Sequence, residues 1–155
     1  MRQRLLPGII IFLCVLVGGA SFAKTEPARV RVALLDGELV YHWAHFQSVV
    51  RDDVDRALIL RAFRRGGYTL PEHYIDEELN EFVKVEFKGD HGKMLEDLKR
   101  LHATLEDFRT FTAEELKIQA MRKYVTVHGK YGETPIPEKQ WLASLRKEAR
   151  INMIK

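Results

Sequence analysis

Histidine and carboxylate spacings are the first places in this chain where chemistry could reside. His42 and His45 stand at i and i+3, and His73 lies three residues before Asp76. Two ligands at helical spacing can begin a zinc site. Neither pair carries the glutamate of a His-Glu-x-x-His motif, and a zinc site needs three or four protein ligands. Asp52, Asp53 and Asp55 resemble the opening of a calcium loop, but no glycine stands where its sharp turn needs one and no glutamate closes it. Helix capping explains these aspartates better. Asp76, Glu77, Glu78 and Glu81 read as the solvated first turns of a helix rather than as paired catalytic acids. Gly66-Gly67 is too short to cradle phosphate and reads as a helix stop, and no nucleophile elbow or dinucleotide fingerprint occurs. The residue types therefore point away from an enzyme, with no catalytic group, metal or cofactor assigned.

Aromatic side chains remain as candidates for binding. Phe63, Phe82, Phe87, Phe108 and Trp141 fall on helical stripes and read as core. Trp43, Phe46, Phe111 and Tyr131 sit near breaks or off the clearest stripes. They are the candidate peptide-binding residues, because an exposed apolar patch of several hundred Å² marks an interaction site.

The elements that must position these side chains are mostly helices. Residues 1–23 have a basic start (Arg2, Arg4), an apolar run Ile9–Val17 and a small-residue exit ending Ser21-Phe22-Ala23, the three-part pattern of a secretory signal peptide cut after Ala23. The uninterrupted apolar run is shorter than the roughly 18 residues of a membrane-spanning helix, so no stable membrane span is expected after cleavage. Such a cut takes 23 of 155 residues and leaves 132, in which 23 basic side chains face 22 acidic ones. The net charge drops from +3 to about +1, which gives little reason to expect nucleic acid as a partner. Cys14, the one cysteine, departs with the leader. A chain in an oxidising compartment without thiols must hold by packing alone, and near this size it buries roughly two-thirds of its unfolded surface.

Residues 24–155 are expected to form one mainly α domain: a compact bundle of four to six helices with a small N-terminal hairpin. Two β-branched-rich runs over 30–43 flank Asp36-Gly37, a strong type I′ turn signal. Helices are expected over 52–125, punctuated by Gly66-Gly67, Pro71, Gly89-Asp90 and the Thr104/Asp107 pair, a variant of the capping box. A glycine- and proline-containing linker occupies 126–136, and Pro137 opens a last amphipathic helix over 137–154 that packs back on the bundle through Trp141, Leu142, Leu145 and Ala149.

In this order and punctuation the chain resembles the N-terminal module of SurA-type periplasmic chaperones. The likeness runs through Asp55-Arg56-Ala57-Leu58-Ile59-Leu60-Arg61-Ala62-Phe63, Leu70-Pro71-Glu72, Ile75-Asp76-Glu77-Glu78-Leu79 and Phe87-Lys88-Gly89-Asp90. It continues through Ala103-Thr104-Leu105-Glu106-Asp107-Phe108-Arg109 to Leu116-Lys117-Ile118-Gln119-Ala120-Met121-Arg122. Trp141–Ile151 is similar to the family's final helix, which returns to the module after one or two parvulin-type isomerase domains. Here about a dozen residues make that connection, and a parvulin domain needs roughly a hundred. The stretch Tyr41–Asp53 has no clear counterpart in the family.

The resemblance implies an ATP-independent periplasmic holdase, without isomerase activity, that takes unfolded polypeptides (outer-membrane proteins above all) into an apolar cradle. The alternative is a non-catalytic interaction or structural subunit that binds one specific partner, or a second copy through exchange of its C-terminal helix.

Overall fold

The computed structural model describes residues 28–129 and 134–154. The leader over 1–23, its cut after Ala23, and Tyr131 lie outside the described residues.

Strand β1 (Arg29–Leu35) and strand β2 (Glu38–Trp43) pair antiparallel, with Leu35 opposite Glu38, Leu34 opposite Leu39 and Ala33 opposite Val40. Asp36 and Gly37 make the turn at φ of 50° and 89°. Both are left-handed, a conformation that twists the chain in the same sense as the flanking strands. The register slips between Arg31 and Ala33 on β1. Among the described residues five helices follow, α1 (Asp53–Arg65), α2 (Glu72–Glu86), α3 (His91–Arg100), α4 (Leu105–His128) and α5 (Glu138–Lys147), and then strand β3 (Ile151–Met153). The architecture is mainly α with a small antiparallel sheet in the order β2-β1-β3. No helix among the described residues is long and apolar enough to cross a membrane.

Helices α1, α3 and α4 start where a neighbouring side chain replaces a missing backbone partner, whereas α2 and α5 follow Pro71 and Pro137 without a side-chain cap. Asp52 accepts from the Asp55 N–H, and Asp90 accepts from the Lys93 N–H. Thr104 and Asp107 bond each other's backbone reciprocally, completing a capping box at α4. Burial pushes the Asp107 carboxyl up, but the two hydrogen bonds from Thr104 outweigh it and hold the group below the usual carboxylate range.

The interior divides into two apolar compartments that share α4. One lies between the sheet, α1, α5 and the C-terminal half of α4, and contains Ala33, Val40, Leu58, Ile59, Ile118 and Trp141. The other gathers Phe82, Val83, Met94, Leu98, Phe108 and Phe111 from α2, α3 and the N-terminal half of α4. At 24 residues α4 is about 36 Å long, enough to serve as the spine of both.

Trp43, Phe46 and Phe111 belong to the second compartment, not to the surface: they are 3%, 5% and 0% exposed. Phe46 stacks on Phe111 and Phe108 at centroid distances of 5.1 and 5.4 Å, and Trp43 meets Phe111 edge-on at 5.7 Å. The segment after β2 crosses α4 and inserts Phe46 between Trp43 at the end of β2 and Phe108 and Phe111 on α4. This corrects the expectation of an exposed aromatic surface.

The final helix also differs from the sequence expectation. It ends at Lys147, and the chain continues as an extended strand rather than helically to residue 154. The Asp36 N–H donates to the Arg150 carbonyl, the Arg150 N–H donates to Asp36 Oδ1, and the Ile154 N–H donates to the Val32 carbonyl. A ladder offered by β1 outcompetes helical periodicity over these few residues. Within α5 itself Trp141 and Leu145 are buried against the first compartment. Arg146 bonds Asp55 at 2.7 Å and Asp52 at 2.9 Å, which ties α5 to the start of α1.

Asp36 therefore joins the hairpin turn, the chain end and the buried Arg61, which also donates to it. The Arg150 backbone hydrogen bond and then the Arg61 guanidinium hold its carboxyl below the ordinary value. A depressed folded-state pKa supplies stability that is full above the unfolded value of about 3.9 and is lost as pH falls through the folded one. Asp36→Asn is thus expected to lower Tm near neutral pH and to flatten its acid dependence below about pH 4. Parallel thermal melts of parent and variant from pH 7 downwards test this, and parallel curves would refute it.

Candidate functional site

A cleft of about 230 Å³ opens between β2 and α1. Its wall on α1 is made by Asp53, Arg56, Ala57, Leu60 and Arg64, whose spacing places them along one side of the helix. Its other wall is β2 from Glu38 to Tyr41, ending at Trp43. Two polar pairs cross the cleft near its ends. Arg64 Nη2 meets Glu38 Oε2 at 2.7 Å, and His42 Nδ1 lies 3.0 Å from Asp53 Oδ2. Between them Val40, Ala57 and Leu60 provide an apolar middle. Arg29 lies over the rings of Tyr41 and Trp43, with its guanidinium carbon 5.4 and 5.1 Å from their centroids.

Beneath the cleft lies a buried polar layer between the two compartments. Arg56 Nη2 donates to Glu115 Oε1 at 3.0 Å and to Glu114 Oε2 at 3.1 Å. Glu115, 1% exposed, also accepts from Ser48 Oγ at 2.7 Å and from the Val49 N–H at 3.0 Å. Trp43 Nε1 donates to Glu114 Oε2 at 2.9 Å, and the Arg56 guanidinium sits 5.5 Å from the Phe111 ring centre. A charge buried this deeply is tolerated only when paired and hydrogen-bonded. Both Glu115 oxygens are engaged by the protein, so this carboxylate positions the segment after β2 instead of meeting a substrate. Glu114 is partly open and lines the cleft. Its chemical capacity there is to accept a hydrogen bond.

Only Trp43 among the candidate peptide-binding residues borders this cleft, and it does so from a nearly closed position. Phe46 and Phe111 contribute to the layer below, and Tyr131 lies outside the described residues. Sequence reasoning missed Leu39, Leu60, Arg64 and Glu114. The usable signal was the 53–57–60–64 stripe on α1, combined with a β2 sequence in which exposed Leu39 alternates with inward-facing Val40. His42 is engaged by Asp53, and the His73 ring rests against Tyr74 at 4.1 Å. Among the described residues no three histidine, cysteine or carboxylate side chains converge on a point that could hold a metal.

A scan against protein-family models and a search of curated proteins return no match to this chain.

Proposed function

We propose that this chain is a periplasmic, ATP-independent holdase that keeps unfolded polypeptides, outer-membrane proteins foremost, from aggregating. The observation that carries the reading is the open cleft along β2, with its apolar middle and charged ends. Unfolded outer-membrane proteins expose unpaired strand edges and alternating apolar side chains, the features such a cleft can cover. The resemblance to SurA-type chaperones supports the same reading, and so does the seating of Trp141 and Leu145 against α1 and α4. The leader-like start of the sequence supports the periplasmic location.

The binding site differs from the aromatic cradle expected on sequence, because Trp43, Phe46 and Phe111 hold the core together. Leu39, Tyr41, Leu60 and the flanking charges take that role. A partly polar cleft and a client that loses conformational freedom give weak, fast-exchanging complexes, of about micromolar Kd. Release then follows from dissociation alone.

Residues 24–155 at several-fold molar excess are expected to suppress light scattering when a urea-unfolded outer-membrane protein is diluted into buffer without nucleotide. Unchanged scattering would refute the holdase reading. A stable dimer with no protective effect would favour the interaction subunit.

A further inference from the structure

We propose that β2 is the docking strand: an extended client segment adds to its free edge as a fourth strand and lies over the Asp53–Arg64 side of α1. This deepens the holdase reading and rests on it.

The sheet order leaves β2 as an edge strand along its whole length, whereas the opposite edge of β1 is partly covered by β3. Exposed edges are normally blunted with proline, lysine, bulges or brevity. Strand β2 reads Glu-Leu-Val-Tyr-His-Trp, with neither proline nor lysine, and the register irregularity falls on β1. The two-residue turn makes Leu35 and Glu38 the closing hydrogen-bonded pair, so the next pair, Leu34 and Leu39, is a non-hydrogen-bonded one. Leu39 therefore turns its N–H and C=O away from β1, and Tyr41 follows two residues later. Among the described residues, no backbone hydrogen bond outside the sheet uses either residue.

The α1 wall of the cleft has the length of a short added strand. From Asp53 to Arg64 the helix rises about 16 Å, the span of about five extended residues. Each end carries a polar pair, Asp53 with His42 at one and Arg64 with Glu38 at the other, and Ala57 and Leu60 lie between. A client strand with an apolar residue over Ala57 and Leu60, a basic residue towards Asp53 and an acidic one towards Arg64 is complementary. The Glu38–Arg64 pair is exposed on both sides (66% and 60%), and exposed pairs contribute little, so exchanging it for a client carboxylate costs little.

The test uses residues 24–155 and a synthetic peptide of alternating valine and serine with lysine at one end and glutamate at the other. Hydrogen exchange at the Leu39 and Tyr41 amides is expected to slow at least tenfold at saturating peptide. Leu39→Pro, which removes an outward N–H, is expected to weaken peptide binding at least tenfold. Arg64→Glu is expected to weaken it several-fold and to reverse the preference towards a peptide whose glutamate is replaced by lysine. If Leu39→Pro does not fold, amide exchange and Arg64→Glu decide the matter. Peptide binding with unchanged Leu39 and Tyr41 exchange and an indifferent Arg64→Glu variant would overturn strand addition while leaving the holdase reading standing. If neither the peptide nor an unfolded outer-membrane protein binds, the holdase reading fails and strand addition fails with it.

Discussion

Glu115→Ala is expected to cost about 3–5 kcal/mol, because it leaves the Arg56 guanidinium buried without its most enclosed partner. Ordinary domains are stable by about 5–15 kcal/mol, so the variant would stand near the edge of unfolding. The loss has two parts. Arg56 is 3% exposed and cannot regain water, and Ser48 Oγ and the Val49 N–H lose an acceptor at the same time. Replacing both charges is expected to be far milder, since a buried ion pair can be exchanged for apolar groups at little net cost. Urea unfolding of Glu115→Ala, and of Glu115→Leu, Arg56→Leu and the double variant Arg56→Leu/Glu115→Leu as a closed cycle, measures this directly. Their free energies should be strongly non-additive, with the double variant above either single one. A cost below about 1 kcal/mol for Glu115→Ala, the range of an exposed ion pair, would mean that the polar layer does not join the compartments.

Trp141→Ala tests the other long-range joint and is expected to cost about 3–5 kcal/mol, the usual range for deleting a buried aromatic ring. Trp141 is 2% exposed within the compartment formed by the sheet, α1 and α4. Its loss is expected to loosen β3 as well, since that strand follows α5 after only a few residues. The chain has two tryptophans, so Trp141→Phe leaves Trp43 as the sole indole reporter. Monitored through Trp43, Trp141→Ala should unfold in the same single transition that far-ultraviolet circular dichroism reports, shifted to lower urea. A shift of less than about 1 kcal/mol would show that α5 contributes little to the cooperative body, far outside what removal of a buried ring requires. The proposed chaperone reading would then have to stand without a seated final helix.

Both predictions concern contacts between residues far apart in sequence, and this distance separates what could be read in advance from what could not. Helix starts were legible because a cap involves residues only a few positions apart, as at Asp52, Asp90 and the Thr104/Asp107 box. The Asp36-Gly37 turn is local in the same way, since left-handed dihedrals depend on the two residues themselves. The mainly α composition follows from such signals repeated along the chain.

The candidate site was barely legible. Glu115 stands beside Glu114 in a run that reads as a wet helical face, yet it is closed from solvent by Ser48, 67 positions earlier. Phe46 and Phe111 looked displaced from helical stripes because the gap they fill belongs to no single helix; it is made where the segment after β2 crosses α4. The extended state of Ile151–Met153 is set by β1, and the bond from the Arg150 N–H to Asp36 spans 114 positions. Amino-acid order by itself determined the secondary-structure signals whose energy is decided within a turn or two of chain. Tertiary structure alone decided which aromatics lie inside, which carboxylate is buried and which strand edge stays open. Burial and strand pairing are properties of surfaces that come into contact only after the chain has closed on itself.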